Sequence, residues 1–447
     1  MAGVARERVV RWVAGDRARV VVALAVVVAL ALGLRLGLIA ATTHFKPVFD
    51  AADFDRLAQS IATTGHYPNS YFAKPGTPTA LNPPAYPHLL GLTYAVAGHS
   101  WTAGRVLGAL LGTLTVLLLA LIAWRLWGPV AGVIAGLLGA LYPPLVMANA
   151  SLISEALFLP LVLGLVLLLL ARSHVEGSAA LVVAVAAGVL CGLAALTRFV
   201  GVFLVVVVLI WIWQRGLTAR RRLVMGALAV LAACATIAPW TARNTRHFKD
   251  FVPIATEGGS SVVGTYNSVS AHAGPLRGTW RPAWLLVKYH GLLNDGLDES
   301  QLDRLWRSDA LHYALHHPGY PFVALGLNSL RMFGLGPGYS YLEGIWYAEM
   351  GIPHRAQRWT RVSVYLMALL ALFGVIVGRR LRRRGDAFLW LIPLLLFLAA
   401  AFILGGPRYR IPIDPFLVLV AASGLAVLAQ RIRRTDRTAV VTKRAAA

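Results

Sequence analysis

The chain has 447 residues, 58% of them apolar and only 14% charged, too few polar groups to clothe a soluble globule. A formal charge of +23 would suit a nucleic-acid binder. The basic residues instead gather at the ends of apolar runs, where anionic headgroups lie, so membrane lipids are the expected partner and nucleic acid is not. Cys191 and Cys234 both fall inside apolar runs, which leaves no disulfide or zinc framework to read.

A helix needs about 17–25 apolar residues to cross a bilayer. Ten runs are predicted to cross: Val20–Ala40, Trp101–Trp124, Val130–Val146, Leu152–Ala171, Ala179–Leu196, Phe199–Trp213, Leu223–Trp240, Val362–Val377, Phe388–Leu404 and Pro412–Ala429. The first follows a basic start with no small-residue cleavage site behind it, and reads as a retained anchor rather than a signal peptide. Ten crossings put both termini on one side. That side then holds 22 of the 42 basic residues in short segments, among them Arg125, Arg172, Arg215, Arg220 to Arg222, Arg379 to Arg384 and the tail from Arg431. The asymmetry makes that face cytoplasmic and the protein a multi-pass component of the inner (plasma) membrane. Tyr320 to Gly334 tempts an eleventh crossing, but that alone would turn Arg379–Arg384 outward, so it is assigned to an interfacial helix.

Two extracytoplasmic loops result, about residues 41–100 and 241–361. In the first, Asp50 to Thr64 sets Phe54, Leu57, Ala58 and Ile61 at helical spacing on one face. Tyr86 to Ala97 is apolar but too short to cross, and is expected to lie along the membrane surface. In the second, amphipathic helices are predicted at Pro282–Leu293 and Glu299–His317. The chain shows no internal repeat and no inverted duplication of the transporter kind.

Asp50 and Asp53, three residues apart, share one helical face at the membrane boundary. A carboxylate there can take a proton from a hydroxyl, while the same residues also suit an acidic helix start. Glu155, in Ser151-Leu-Ile-Ser-Glu-Ala-Leu-Phe158, is an ionisable group at the outer end of a crossing, where such groups face a cavity or a partner, or snorkel to the surface. Arg105, Arg198, Arg243, Arg408 and Arg410 lie at the outer face, against the positive-inside trend, and planar guanidinium groups suit phosphate oxygens. His312, His316 and His317 share a helix, but no cysteine or carboxylate motif completes a metal site.

Phe49-Asp-Ala-Ala-Asp-Phe-Asp-Arg-Leu-Ala-Gln-Ser-Ile61, followed by Gly65 and Asn82-Pro-Pro-Ala-Tyr-Pro87, resembles the first loop of the GT-C membrane glycosyltransferases. The nearer likeness is to glycosyltransferase family 39, the protein O-mannosyltransferases and lipid A aminoarabinose transferases. Ser154-Glu155, Gly192-Leu-Ala-Ala-Leu-Thr-Arg198, Pro239-Trp-Thr-Ala-Arg-Asn244, His317-Pro318 and Arg408-Tyr-Arg-Ile-Pro-Ile-Asp-Pro415 continue the family's order along the chain.

The resemblance implies an all-α polytopic fold with a core of about seven spans and extracytoplasmic juxtamembrane helices. It divides the chain into a catalytic module at 1–240, an outer loop at 241–361 and C-terminal helices at 362–447. The donor it implies is a sugar on polyprenyl phosphate, and the acceptor is a hydroxyl of a glycan, lipid or protein, reacting with inversion at the outer face. Asp50 matches the family's first-loop acid, the base. Many relatives have adjacent acids where this chain has Asp53 three residues on, so the choice between the two stays open. Glu155 matches the acid opening the fourth span. Arg198, Arg243, Arg408 and Arg410 match phosphate-holding positions, Arg105 joins them as a phosphate candidate by its outer-face placement, and Tyr86, Asn244 and Tyr409 are expected at the acceptor or sugar. Metal-independent chemistry is favoured, with a divalent cation left open. The rival class, a transporter or flippase of a lipid-linked or anionic substrate, predicts ionisable residues near span midpoints, and here only Arg35 lies there.

Overall fold

The computed structural model describes residues 2–171, 177–291, 296–352, 356–378 and 387–445, with side chains omitted for 2–17 and 433–445. Arg172 and Arg379–Arg384, part of the orientation argument, lie outside the described residues. The chain is all helical apart from one isolated β-bridge, Asn69 to Pro78, among the described residues. In order, the α-helices are α1 (Ala2–Ala41), α2 (Asp50–Thr64), α3 (Ala85–Ala97), α4 (Trp101–Trp127), α5 (Pro129–Leu141) and α6 (Pro143–Asn149). Then come α7 (Glu155–Ala171), α8 (Gly177–Thr197), α9 (Leu204–Trp213), α10 (Ala219–Phe248), α11 (Glu257–Thr265) and α12 (Ser268–Ala271). The last are α13 (Glu299–His316), α14 (Tyr320–Met332), α15 (Tyr339–Met350), α16 (Gln357–Val377), α17 (Ala387–Ile403) and α18 (Asp414–Ala445).

Each of the ten predicted runs carries a helix, but fewer meet the length a crossing needs. Six helices are long and apolar enough to cross a membrane: the Ala18–Ala41 part of α1, α4, α8, α10, α16 and the Asp414–Ile432 part of α18. A seventh is reached if α5 and α6 form one broken span. This corrects the single helix predicted over Val130–Val146, which bends by 63° between Leu141 and Pro143. Pro143 and Pro144 have no N–H to continue the α5 ladder, and Tyr142 before them is extended. The helices α7 and α17, and the segment Phe199–Trp213, are apolar but shorter. The protein is thus a multi-pass membrane protein with a core of six to seven long apolar helices.

Close packing in that core rests on small residues. On α4, a Cβ at Gly108 would meet the Asn149 carbonyl at 2.4 Å, and one at Gly112 would meet the Asn149 side chain at 2.3 Å. Their absence lets the end of α6 seat against α4. Asn149 there receives Arg35 Nη2 at 3.2 Å, so the mid-span arginine is fully buried and holds the broken helix in place.

The loops are structured. The helix α2 runs over the predicted residues and buries Phe54, Leu57 and Ala58 as its pattern requires, with Ile61 packed against the same core. Asp55 fixes its outer face, accepting from Tyr94 Oη at 2.7 Å and Trp101 Nε1 at 3.0 Å. In the second loop, α13 begins with a capping box between Asp298 and Gln301. The helix predicted at Pro282–Leu293 is instead two 3-10 turns, Ala283–Leu285 and Val287–Tyr289, separated by extended Leu286; residues 292–295 lie outside the described set. Trp284 and Tyr289 there pack with Phe72 and Trp306, so tertiary stacking overrides the helical pattern. Tyr320–Gly334 forms α14, whose 13 residues fall short of a crossing.

Loop one and loop two are knitted together by one buried carboxylate. Glu299 accepts from Thr79 Oγ1 at 2.6 Å, the Ala80 amide at 2.8 Å and Thr256 Oγ1 at 2.8 Å. The Thr256 amide also donates to the Ala80 carbonyl at 3.0 Å. These bonds fix α11 and α13 over the end of α8, where Ile254 and Ala255 pack on Ala195.

Candidate functional site

Four separate stretches of chain meet where the helices end. Asp50 opens α2, directly after Phe49, whose backbone stands at φ 52° and ψ −129°. A bulky residue in that region is strained by about 1–3 kcal/mol, and such strain gathers at functional positions. Glu155 opens α7, where the helix dipole favours an anion. Arg198 follows the last residue of α8 in extended conformation. Arg408 sits in a 3-10 turn, Pro407–Arg410, between α17 and α18.

Arg408 is the hub. Its Nε and Nη2 donate to the two oxygens of Glu155 at 2.8 and 3.1 Å. Its Nη1 donates to Asp50 Oδ2 and to Glu349 Oε1, each at 2.7 Å. Arg198 Nη1 reaches Glu155 Oε1 at 2.8 Å and Ser154 Oγ at 3.0 Å. The Glu155 carboxylate is fully buried, whereas Asp50 is 54% exposed and open to a substrate. The bidentate grip on Glu155 is the strong form of this contact.

The electrostatics follow from burial against these charges. Burial pushes Glu349 up to about 8, opposed by Arg408 and reinforced by Asp50 and Glu155. Burial likewise lifts Glu257, the first residue of α11, to about 7, with Arg198 pulling it down and Asp50 pushing it up. The Glu257 side chain makes no hydrogen bond or ion pair among the described residues, yet its electrostatic neighbours are Arg198, Asp50, Arg408 and Asp303. Tyr409 borders the same group, with its phenol raised by burial and by Asp50 and Glu349.

The other predicted residues are placed differently. Asp53 is turned to Arg56 Nη2, at 2.8 Å, and to Asn82, and burial raises it. Tyr86 is fully buried edge-on against Phe54, its hydroxyl without a partner among the described residues and raised by burial and by Glu155. Arg105 donates to the Ala150 and Thr42 carbonyls and lies over the Phe45 ring. Arg243 donates to the Thr79 carbonyl and to Asn244, between the rings of Tyr67 and Trp240. Asn244 is buried and donates to the Val252 carbonyl. Both belong to α10, which runs through Pro239 past the predicted end at Trp240. Arg410 is buried against Asp414 at 2.8 Å. Asp50, Glu155, Arg198, Arg408 and Tyr409 therefore come together, while Arg105, Arg243, Asn244 and Arg410 make their contacts outside that group.

Sequence reasoning missed Glu349 and Glu257. Glu349 stands in Tyr339-Ser-Tyr-Leu-Glu-Gly-Ile-Trp-Tyr-Ala-Glu-Met350, an aromatic-rich segment where a buried acid is a signal in itself. Glu257 precedes Gly258-Gly259 and had no local mark. Among the described residues no group of three or more His, Cys, Asp or Glu is arranged to hold a metal ion.

A family model described as dolichyl-phosphate-mannose-protein mannosyltransferase matches residues 81–240, less than half of the chain. The archaeal oligosaccharyltransferase AglB from Archaeoglobus fulgidus, in complex with an inhibitory peptide and a dolichol-phosphate, superposes with a TM-score of 0.59 at 13% identity, over 95% of this chain and 52% of that chain. The fold is of the GT-C type. The Archaeoglobus fulgidus oligosaccharyltransferase in complex with Zn and sulfate gives 0.56 at 15% identity, over 95% and 51%. The chain therefore spans about half the length of those oligosaccharyltransferases. No curated protein sequence matches it significantly.

Proposed function

We propose that the protein is an inverting, polyprenyl-phosphate-sugar-dependent glycosyltransferase acting on an acceptor hydroxyl at the extracytoplasmic membrane face. The observation that carries this reading is the Arg408 hub, which gathers Asp50, Glu155 and Glu349 at one end of a GT-C helix core. In this reading all ten apolar runs cross the membrane, both termini are cytoplasmic, and residues 1–240 are the catalytic module.

The exposed Asp50 carboxylate takes the acceptor hydroxyl's proton as that oxygen attacks the anomeric carbon. The bond from that carbon to the phosphate oxygen breaks, and the lipid phosphate leaves with the electron pair. Asp50 is favoured over Asp53 because Asp53 is held by Arg56 and Asn82. All four donor contacts of Arg408 go to carboxylates, so its role is to orient Asp50 and Glu155. Arg198 is the better phosphate ligand, since its Nε has no hydrogen-bond partner among the described residues. An apolar groove of about 340 Å³ between α3, α8 and α10, lined by His88, Leu193, Leu196, Thr236 and Trp240, suits an isoprenoid tail.

The test is to incubate the purified full chain in lipid with a panel of radiolabelled polyprenyl-phosphate sugars. Transfer or hydrolysis of at least one donor is expected. Movement of a donor across the bilayer without cleavage would replace this reading with a flippase.

A further inference from the structure

The groups joined by ion pairs are two guanidiniums, Arg198 and Arg408, and three carboxylates, Asp50, Glu155 and Glu349. Their partners are unequal. Glu155 receives both arginines and three N–H donors. Asp50 reaches water. The Glu349 side chain is 4% exposed, and the one side-chain donor it receives, Arg408 Nη1, is shared with Asp50. Arg408, Asp50 and Glu155 are the charged groups that face it from the turn before α18, from α2 and from α7, and Tyr409 borders the same cluster. A buried anion with half a partner is the costly member of such a group.

We propose that Glu349 is a positioning residue that carries a proton when the site is ready for donor, so that Arg408 is left to hold Asp50 and the cluster is neutral toward an incoming phosphodiester. With Glu349 protonated, the two cations balance Asp50 and Glu155. Its deprotonation leaves one uncompensated negative charge where the lipid phosphate must arrive. The shift of Glu349 to about 8 agrees in direction. The inference rests on the glycosyltransferase reading for its kinetic consequence only.

Two measurements on the full chain in lipid test it. Infrared titration reads the carbonyl stretch of protonated carboxyls. Because burial also lifts Glu257, to about 7, the titration is run on the Glu257→Gln chain, where a band that fades as pH rises through about 8 is expected and is expected to be missing once Glu349→Gln is added. The same band in the variant would overturn the proposal whether or not any donor turns over. Kinetics with whichever polyprenyl-phosphate sugar is a substrate should show KM rising about tenfold between about pH 7 and about pH 9, with kcat changing less. That rise should flatten in Glu349→Gln, whose amide still accepts from Arg408. Glu349→Ala, lacking the acceptor, should lose kcat by more than about tenfold. A KM rise that persists when Glu349→Gln is made on the Glu257→Gln chain would also overturn it. A titrating band without donor turnover at any pH would defeat the glycosyltransferase reading and leave the protonated Glu349 standing.

Discussion

Arg408 and Asp50 lie 358 residues apart in the chain, yet Arg408 Nη1 donates to Asp50 Oδ2 at 2.7 Å. The exposed carboxylate is thereby aimed by a buried arginine that Glu155 and Glu349 hold from behind. Asp50→Asn keeps the side-chain shape and removes the base. Turnover of a polyprenyl-phosphate sugar should fall by about 10²–10⁴-fold, with donor binding and thermal stability retained. Near-normal turnover in that variant would move the base elsewhere.

Arg408→Lys keeps the charge and loses the fork. A lysine ammonium cannot meet two oxygens of Glu155 along with Asp50 and Glu349. Breaking a buried ion-pair group costs about 3–5 kcal/mol. Thermal unfolding in detergent should register that loss as a clearly lowered Tm, together with loss of transfer. Unchanged stability would show that the hub is not load-sharing in the folded protein.

Glu299→Ala removes the carboxylate that joins Thr79 and Ala80 of loop one to Thr256 of loop two. Each orphaned buried donor costs about 1–3 kcal/mol. Limited proteolysis should open the 241–361 loop in this variant while the membrane helices stay protected. Cleavage rates equal to the wild type would mean the loops hold together without it.

Glu257 gives a pH signature. Burial lifts it to about 7, whereas an unfolded glutamate titrates near about 4.3. The folded state therefore binds this proton more tightly. The stability it contributes is full below about pH 4 and is lost as pH rises through about 7. The wild-type Tm should fall relative to that of Glu257→Gln across this window by a few degrees. Parallel curves for the two proteins would refute the assignment.

Phe49 carries backbone strain immediately before Asp50, at φ 52°. Phe49→Gly relieves it and frees the turn. The variant should gain local stability of about 1 kcal/mol and lose kcat several-fold, as Asp50 is aimed less tightly. Hydrogen exchange at the α2 amides, read beside kcat, separates the two effects.

Much of the architecture was legible in the chain. Each of the ten apolar runs carries helix, and periodicity set the bounds of α2 and its buried face, because both depend on neighbours a few residues away. The pattern over Pro282–Leu293 misled because Trp284 and Tyr289 are held by rings from distant segments. The single unbroken helix predicted over Val130–Val146 misled because two prolines act on the backbone regardless of hydropathy. Of the site, Asp50, Glu155, Arg198 and Arg408 were readable as outer-face charges. Nothing local distinguished Arg408 from Arg410, two residues on, yet one is the hub and the other is buried against Asp414.

The sequence by itself determined a multi-pass helical membrane protein whose charged residues, Arg35 apart, keep to the helix ends, since the cost of burying backbone and charge in lipid leaves few alternatives. Only the tertiary structure decided which charges meet. Pairing among buried ionic groups depends on ångström-scale distance and on shared exclusion of water, and neither is encoded at any fixed spacing along the chain. The link from Glu349 to the site emerged only when α15 brought it within 2.7 Å of Arg408.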